Sequence, residues 1–440
     1  MKNTAKNQVI CAILAIAIAV ASLLSLSGCL YSSGEGATDA YINERGELVI
    51  GYSDGREQNL GVISTNETTV NIEAAEGDAS AAAQAGLVSA VTVTANFKKT
   101  VNNSYGGMFP GFGGGGGSTT SEYSSEGSGV IYKIDRDSGS AFIVTNYHVV
   151  YDSASNSKDG ISEDIEIYLY GMEYEGYAIS AEYVGGSLYY DIAVLYVENC
   201  EALKNSVYNS AKVTDSDGVA VGQTAIAIGN PEGYGISASL GIVSVNSEYI
   251  TMTAADEVTT VSFRVMRVDT AVNSGNSGGG LYNDRSELIG IVNAKIIDQT
   301  VENIAYAIPA NVAFAVADNI IDNCFEKDNR TVMRAVLGVT LGVTESWAEM
   351  DTELGILTIR EKVGVTEVSR GSIGEGIIEV GDIIKSITVG GETKQVTRRY
   401  HIIDEMLNAR MGDTVTVTVE RDGKEISLDI VITKDCILAY

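Results

Sequence analysis

Three side chains in this 440-residue sequence have the types and surroundings needed for nucleophilic catalysis. Ser277 lies in a run of glycine and asparagine, residues 273–280, which predicts a tight turn whose N–H groups can converge. His148, one of only two histidines, follows a β-branched run that predicts a strand. Asp191 interrupts an apolar strand pattern. Because a serine hydroxyl needs a base to accept its proton, this set predicts a hydroxyl, a base and an orienting carboxylate.

Each of these residues also has an ordinary structural interpretation. Glycine-flanked serines occur in surface turns, histidines at strand ends are often structural, and a charge in a strand can protect a sheet edge. The order of the three residues is more informative. His148, then Asp191, then Ser277 is the order of the chymotrypsin-like triad, and it differs from the subtilisin and α/β-hydrolase orders.

Five sequence blocks extend this pattern. They are residues 127–132, 145–150, 191–195, 228–231 with 241–244, and 275–279. Over about residues 87–434 the sequence resembles the HtrA family of trypsin-like serine proteases. Residues 336–339, 365–368, 380–384, 400–408 and 412–424 resemble a PDZ domain.

The resemblance implies a mainly β fold, with a chymotrypsin-like double β-barrel followed by an α+β PDZ-like domain. We predict a signal peptide over 1–28, an acidic tether with a small hairpin over 29–86, the protease domain over 87–326 and the PDZ-like domain over 334–435. The hairpin is predicted from strand patterns within 47–63 around Ser53-Asp54-Gly55. An apolar helical face after Pro309 is predicted from Val312, Val316, Ile320 and Cys324.

The resemblance also implies binding residues. Backbone N–H groups of Gly275 and Ser277 would form the oxyanion hole. Ile291, Val292 and Asn293 would pair with an extended substrate, beside a primary pocket that prefers small or medium aliphatic side chains. Leu337, Gly338 and Val339 would hold a peptide carboxylate in the PDZ-like domain. His401 falls on the helix of that groove and is expected at the surface. The family commonly has proline where Ser274 and Gly280 stand, so a looser turn is expected.

Composition excludes several other functions. The formal charge is -29, which argues against nucleic-acid binding because phosphate contacts need clustered lysine and arginine. The five cysteines include no CxxC pair, and with two histidines no zinc site is predicted. Residues 152–164 are acidic but lack EF-hand spacing. No metal or cofactor is expected. Cys200 and Cys324 are interpreted as small buried residues.

The N-terminus predicts export. Lys2 and Lys6 precede an apolar run over 9–26, and small residues lead directly to Cys29. This pattern is similar to a bacterial lipoprotein signal, in which Cys29 carries the lipid. The alternative is an uncleaved membrane helix, because the run approaches the ~20 residues needed to span a bilayer. Either interpretation puts the enzyme at the outer face of the cell membrane or the periplasmic side.

A glycine- and serine-rich stretch over 102–128 predicts a flexible surface loop. The HtrA resemblance allows such a loop to reach a neighbouring subunit.

The predicted function is that of an exported serine endopeptidase that cleaves unfolded or damaged proteins through an acyl-enzyme. By resemblance it assembles as a homotrimer and binds peptide C-termini at the PDZ-like domain. The alternative is a surface-tethered chaperone or peptide sensor with little proteolysis.

Overall fold

A computed structural model describes residues 37–42, 47–52, 57–66, 69–73, 78–103, 117–174, 176–204, 207–296, 304–325, 329–352 and 355–440. The predicted signal peptide, the predicted lipid-attachment residue Cys29 and the first four of the five consecutive glycines at 113–117 lie outside these ranges. No helix in the described ranges has the length and apolar character needed to cross a membrane.

The chain before the first barrel contains more regular structure than the predicted tether. Four strands form an antiparallel sheet in the order β1-β2-β3-β4: Ala37–Ile42, Glu47–Tyr52, Glu57–Asn66 and Thr69–Glu73. The predicted hairpin corresponds to β2 and β3. Helix α1, Ala79–Leu87, follows, and the Asp78 side chain caps it by accepting from the N–H groups of Ser80 and Ala81. α1 packs its small side chains against strands of the second barrel.

The first barrel is closed by six strands in the order β10-β7-β6-β5-β8-β9. The strands are β5 Ala90–Asn103, β6 Gly117–Asp135, β7 Ser140–Thr145, β8 Asp164–Leu169, β9 Ile179–Ser187 and β10 Ile192–Val197. Two one-turn helices accompany them, α2 Tyr147–Val150 and α3 Glu201–Lys204. Alternating side chains such as Val91, Val93, Ile143 and Leu195 fill the barrel interior.

The predicted flexible loop over 102–128 is wrong for its second half. Residues 117–128 belong to β6, which pairs with β5 in unbroken register from Ala90 opposite Val130 to Asn103 opposite Gly117. Serine and glycine dominate this stretch, but β-propensity depends on the partner strand more than on composition. The long β5 therefore imposes strand structure on a sequence that resembles a linker.

The second barrel is also formed by antiparallel strands. They are β12 Thr224–Gly229, β13 Ser237–Thr253, β14 Thr260–Val268, β15 Gly280–Tyr282, β16 Glu287–Asn293 and β17 Ala305–Pro309, with the short β11 Lys212–Val213 beside β16. β17 pairs with both β14 and β16, and this closes the ring. Helix α4, Ala310–Cys324, buries the predicted apolar face. Cys324 is buried as predicted, whereas Cys200 is only partly buried.

The C-terminal domain is the predicted α+β unit. Its main sheet has the order β19-β20-β21-β23-β24, with β22 beside β21, and β18 pairs separately with β25. The elements are β18 Met333–Ala335, β19 Val339–Asp351, β20 Ile356–Val368, β21 Ile383–Val389, β22 Glu392–Gln395, α5 Arg399–Glu405, β23 Thr414–Arg421, β24 Lys424–Val431 and β25 Ile437–Ala439. Four single-turn 3-10 helices begin at Ser216, Pro231, Ala294 and Lys434.

A buried polar cluster connects the C-terminal domain to the second barrel. Arg264 on β14 is 3% exposed, and its guanidinium lies 2.9 Å from Asp217 and 3.2 Å from Asp404 on α5. Lys394 lies 2.7 Å from Asp217. The guanidinium also stacks 3.9 Å from the ring centre of Tyr400. We call this group the interdomain cluster; its members are Asp217, Arg264, Lys394, Tyr400, His401 and Asp404.

Burial governs ionisation within the interdomain cluster. It raises the pKa of Asp404 to about 7 and lowers the pKa of His401 to about 4. Burial also acts to raise the pKa of Asp217, but Arg264 and Lys394 outweigh it and lower that pKa to about 2. His401 is 6% exposed, so the prediction of a surface histidine is wrong. Its ring packs against Asp217 because α5 faces the protease domain as well as its own sheet.

We expect Arg264→Met to reduce the free energy of unfolding by about 3 kcal/mol, because removing one partner leaves buried carboxylates uncompensated. Guanidinium denaturation measures the change. Arg285→Met is the matched control: Arg285 pairs with Glu287 but is half-exposed, so its loss should cost less than about 1 kcal/mol. Adding Asp404→Leu to Arg264→Met should restore part of the stability. Equal losses in the two single variants would contradict a stabilising role for the cluster.

Candidate active site

The Asp191 carboxylate is buried, with 6% exposure, and three donors surround it. Its Oδ1 accepts from the backbone N–H of His148 at 2.9 Å. Its Oδ2 lies 2.6 Å from His148 Nδ1 and accepts from Asn293 Nδ2 at 2.7 Å. Since a carboxylate only accepts, the close Nδ1 contact assigns the proton to Nδ1 and leaves Nε2 as the acceptor of the neutral ring.

Strand pairing brings His148 and Asp191 together. β7 and β10 are antiparallel, with Thr145 opposite Ala193, so the residues just beyond the ends of these strands meet at one rim of the barrel. Asn146 Nδ2 and the N–H of Tyr147 donate to the Asp191 carbonyl at 2.8 Å and 3.2 Å. Asp191 adopts φ 52°, a left-handed conformation uncommon for a residue other than glycine. These contacts hold the aspartate in that conformation.

Ser277 lies in the turn before β15, and Ser128 of the first barrel connects to this turn twice. The Ser128 N–H donates to the Ser277 carbonyl at 2.8 Å, and Ser128 Oγ donates to the Gly275 carbonyl at 2.7 Å. The same Oγ accepts from the N–H of Asn230 at 2.8 Å. One small side chain therefore fixes the nucleophile turn against both barrels.

The Ser277 hydroxyl is next to the group that surrounds Asp191. Its Oγ accepts from the N–H of Ala294 at 3.2 Å, and Ala294 directly follows Asn293, which donates to Asp191. In the described part of the chain, Ser277 Oγ makes no hydrogen bond to His148. The structure thus places Ser277 beside the residues that surround Asp191 and His148.

The N–H groups of Gly275 and Ser277 make no hydrogen bond to any other described residue. The Ser274 carbonyl accepts from Glu232 N–H at 2.8 Å, and because a trans peptide points its C=O and N–H in opposite directions, Gly275 N–H points the other way. Gly275 has φ 90°, and a Cβ there would lie 2.2 Å from the Asn230 carbonyl oxygen. Only glycine fits this position. The turn can therefore present two free donors to an anionic oxygen.

The residues predicted to pair with an extended substrate, Ile291 to Asn293, are engaged in other contacts. Both edges of β16 are already paired: Ile291 lies opposite Gly280 of β15 on one side and opposite Ile308 of β17 on the other. Val292 exchanges hydrogen bonds with Gly278 and Gly279 and lies opposite Ala307. Ile291 and Val292 thus leave no edge for a peptide. Asn293 is fully buried and donates to Asp191 instead.

The predicted carboxylate loop of the C-terminal domain precedes an edge strand. Leu337 is buried, and its carbonyl accepts from Gly374 N–H at 3.1 Å, while the Gly338 carbonyl accepts from Ser369 N–H at 2.8 Å. β19 has only β20 as a partner among the described strands, and α5 packs beside it. The loop, the open edge of β19 and α5 thus lie next to one another.

Sequence reasoning missed Ser128 and Asn146, and it gave Asn293 a different role. Ser128 had a signal, because it is the serine between Gly127 and Gly129 in one of the blocks that carried the resemblance. Asn146 lies in another of those blocks, residues 145–150. The amide contacts of Asn146 and Asn293 had no local signal, since they depend on Asp191, far away in sequence. No cluster of histidine, cysteine, aspartate or glutamate in the described ranges could hold a metal ion.

Comparisons with known proteins identify two domain families in this chain. The family described as trypsin-like peptidase domain matches residues 127–291, and the PDZ domain family matches residues 335–432. Serine protease Do-like HtrA of Lactococcus lactis subsp. lactis is 32% identical over 343 residues, 73% of this chain and 75% of that protein. Serine protease Do-like HtrA of Bacillus subtilis is 32% identical over 320 residues, 70% and 63% of the two chains. Periplasmic serine endoprotease DegP of Escherichia coli is 30% identical over 322 residues, 73% and 59%.

We expect Asn293→Ala to lower kcat by about 10- to 100-fold, since a hydrogen bond to a buried charged group contributes about 1.5–3 kcal/mol. KM should change little because this side chain points to Asp191 and not into the cleft. Steady-state kinetics on a peptide measures both constants. Asn246→Ala, which removes a partly buried amide bonded to the Val219 carbonyl, is the control and should keep full activity. Equal activity of the two variants would refute the positioning role of Asn293.

Proposed function

Because this chain belongs to the HtrA family of serine proteases, we propose that Ser277 is its nucleophile, His148 its general base and Asp191 the carboxylate that orients the base. The chain is a serine endopeptidase with a trypsin-like domain and a PDZ domain. The observation that carries the residue assignment is the set of contacts around the Asp191 carboxylate. It accepts hydrogen bonds from His148 and Asn293, and Asn293 directly precedes Ala294, whose N–H donates to Ser277 Oγ.

The imidazole can act in one orientation only. Asp191 bonds the backbone N–H and Nδ1 of the same histidine, so the ring is fixed with Nε2 directed away from the carboxylate. Nε2 accepts the Ser277 proton during attack and returns it to the leaving amine. Asp191 stabilises the imidazolium that forms in between.

Ser277 must leave its resting contact before it reacts. Its Oγ accepts from Ala294 N–H, and a change of rotamer about the Cα–Cβ bond directs the hydroxyl toward His148. The hydrogen bond between a nucleophile and its base is often absent without substrate and forms in the bound complex. A substrate that pairs with the backbone at Ala294 would compete for this N–H and release the hydroxyl.

The N–H groups of Gly275 and Ser277 are the oxyanion donors in this proposal. Three anchored carbonyls, those of Ser274, Gly275 and Ser277, hold the peptide planes of the turn before substrate arrives. Donors fixed in advance need no reorganisation as negative charge develops on the carbonyl oxygen.

The acyl half of the substrate is proposed to pair with the chain at the end of β16. Because Ile291 and Val292 are paired on both edges, we assign this role to Asn293, the last residue of β16, and to Ala294, where the chain leaves the sheet. The primary pocket is proposed to accept small or medium aliphatic side chains. The fully buried side chains around the end of β16, which are Ile291, Ala307 and Ile308, are apolar and uncharged.

The C-terminal domain is proposed to bind the C-terminus of a polypeptide. The peptide would add as a strand to the open edge of β19, and N–H groups at Leu337, Gly338 and Val339 would hold its carboxylate. The substrates proposed are unfolded or damaged exported proteins, because an extended chain is what both the cleft and the groove can bind.

The sequence of the N-terminus supports export and anchoring. We propose that the enzyme acts outside the cytoplasm and is tethered through a lipid on Cys29, or through an uncleaved apolar helix, and that it assembles as a homotrimer. Metabolic labelling with a palmitate analogue, compared between the native chain and Cys29→Ser, distinguishes the two anchors.

We expect Ser277→Ala to abolish casein cleavage while its circular dichroism spectrum stays unchanged, because only the attacking oxygen is removed. A fluorophosphonate probe should label the native chain at Ser277 and fail to label the variant. Ser274→Ala, which keeps the Ser274 carbonyl, is the matched control and should retain labelling. Undiminished hydrolysis by Ser277→Ala would reject the assignment. Absent labelling of the native chain, with peptide-dependent chaperone activity, would favour the sensor function.

We expect Gly338→Ala to weaken binding of peptide C-termini at least tenfold. Gly338 has φ 72°, and a Cβ there would lie 2.1 Å from the Ser372 side chain, so the loop must shift. Gly371→Ala is the matched control, since Gly371 has φ 77° but open space around its Cα. Fluorescence anisotropy with a labelled peptide measures affinity, and a C-terminally amidated peptide tests the carboxylate. Similar affinities for both variants would exclude this loop from the binding site.

A further inference from the structure

A cleft of about 420 Å³ lies beside the turn at residues 230–235, on the first barrel. Its floor is the outer face of β5, at Thr92 and Thr94. Register places Thr94 opposite Glu126 of β6, and Thr92 opposite Tyr168 of β8. Glu173, Tyr174, Asn230 and Tyr234 also line the cleft.

The charge of this lining is entirely negative. Glu126 and Glu173 both contribute carboxylates, and no lysine, arginine or histidine of the described ranges is part of the wall. Neither carboxylate makes an ion pair or a hydrogen bond with any residue that the structure describes. Elsewhere exposed carboxylates of this domain do have cationic partners, such as Glu122 with Lys98. The two glutamates are therefore available to a cation from outside the chain.

Aromatic side chains stand beside these carboxylates. Tyr234 is 91% exposed and Tyr174 is 69% exposed, although burying an aromatic ring is normally favourable. Tyrosine rings bind cations over their faces. Their apolar ring surface can also contact the methylene stem of a long charged side chain. Paired with carboxylates, such rings suit lysine and arginine better than any other amino-acid side chain.

The cleft is directly connected to the proposed reaction centre. Asn230 lies in its wall, and Asn230 N–H donates to Ser128 Oγ, which donates in turn to the Gly275 carbonyl. Asn230 Nδ2 also donates to Thr92 in the cleft floor, at 3.1 Å. Ala294, where the acyl half of the substrate is proposed to pair, contacts Ser277 from the second barrel. The cleft reaches the nucleophile turn by a different route, through Asn230 and Ser128 of the first barrel.

We propose that this cleft binds a lysine or arginine side chain of the substrate on the leaving-group side of the cleaved bond. The inference rests on the proposed function, because it uses Ser277 as the point from which the two halves of the peptide diverge. Glu126 and Glu173 attract the cation, and Tyr174 and Tyr234 contact its stem and charged head. A glutamate at the same substrate position meets two like charges.

The contribution of such a subsite is moderate. Exposed ion pairs and exposed cation–π contacts are each worth about 0.2–1 kcal/mol. Two or three of them acting together correspond to about a 5- to 10-fold preference in kcat/KM for lysine over glutamate. Salt screens the exposed charges, so the preference should fall as ionic strength rises.

The test uses an internally quenched peptide built on one cleavage site mapped in casein. Peptides carry lysine, arginine, glutamine or glutamate at each of the first three leaving-group positions, with the acyl half unchanged. An ester with the same acyl half and a small alcohol as its leaving group gives the reference rate. We expect lysine and arginine to exceed glutamate about 5- to 10-fold in kcat/KM at one of these positions.

Variants assign the preference to the cleft. Glu126→Gln combined with Glu173→Gln should reduce the lysine-to-glutamate ratio to about 1, and Glu126→Lys combined with Glu173→Lys should invert it. The matched control is Glu163→Gln combined with Glu182→Gln, since these two glutamates line a separate pocket on the same barrel. The control should keep the native ratio.

Binding to Ser277→Ala separates failure of the subsite from failure of the proposed function. If the native chain hydrolyses the ester but shows equal rates for lysine and glutamate peptides, the cleft is not a subsite. A preference that persists in the Glu126/Glu173 glutamine variant also overturns the inference. If Ser277→Ala still hydrolyses the ester, the proposed nucleophile is wrong. Fluorescence titration then tests the cleft independently of catalysis. The lysine peptide should bind more tightly than the glutamate peptide, and the Glu126/Glu173 glutamine variant should lose this difference.

Discussion

The buried charge of Asp191 is the constraint on which the arrangement of the cleft depends. An ionised carboxylate out of water needs several hydrogen bonds. Two of its donors come from His148 on the first barrel, and the third comes from Asn293 on the second. Satisfying one charge therefore fixes the imidazole and joins the barrels at the position where the chemistry must occur. Its left-handed backbone conformation persists because neighbouring donors also bind its carbonyl.

The nucleophile turn is fixed in a different way from the one expected. Serine and glycine at positions 274 and 280 suggested a loose turn, because proline restricts the backbone and they do not. Hydrogen bonds replace that restriction: Glu232 anchors the Ser274 carbonyl, and Gly280 lies within β15 opposite Ile228 of β12. Glu232 itself has φ 55°, so the turn that anchors the nucleophile is strained as well. The resting position of the Ser277 hydroxyl thus reflects a side-chain rotamer and not a disordered backbone.

The sequence predicted those parts whose signals are local. The β-branched run before His148, the apolar strand after Asp191 and the helix after Pro309 all lie where their patterns indicated. It failed where partners are distant. β6 includes a serine- and glycine-rich stretch that only its pairing with β5 makes a strand, and His401 is buried because a different domain covers it. The edges of β16 are filled by strands on both sides, which no local pattern reveals. Element type is predictable where the local hydrophobic pattern is strong, but exposure, free edges and strands of weak local propensity depend on the whole fold.

The interdomain cluster gives the C-terminal domain a physical connection to the protease domain. α5 carries Tyr400 and Asp404 into contact with Arg264, and the same helix packs beside the open edge of β19. A peptide that enters the proposed groove must fit between β19 and α5. If α5 moves to admit it, the ion pair of Arg264 with Asp404 lengthens in a buried environment, where separating charges costs more than at the surface. Binding at the groove and contact between the domains are then coupled, and by linkage each affects the other equally. β14 continues from Arg264 toward the turn that contains Ser277, so one strand of the second barrel joins the interdomain cluster to the nucleophile turn.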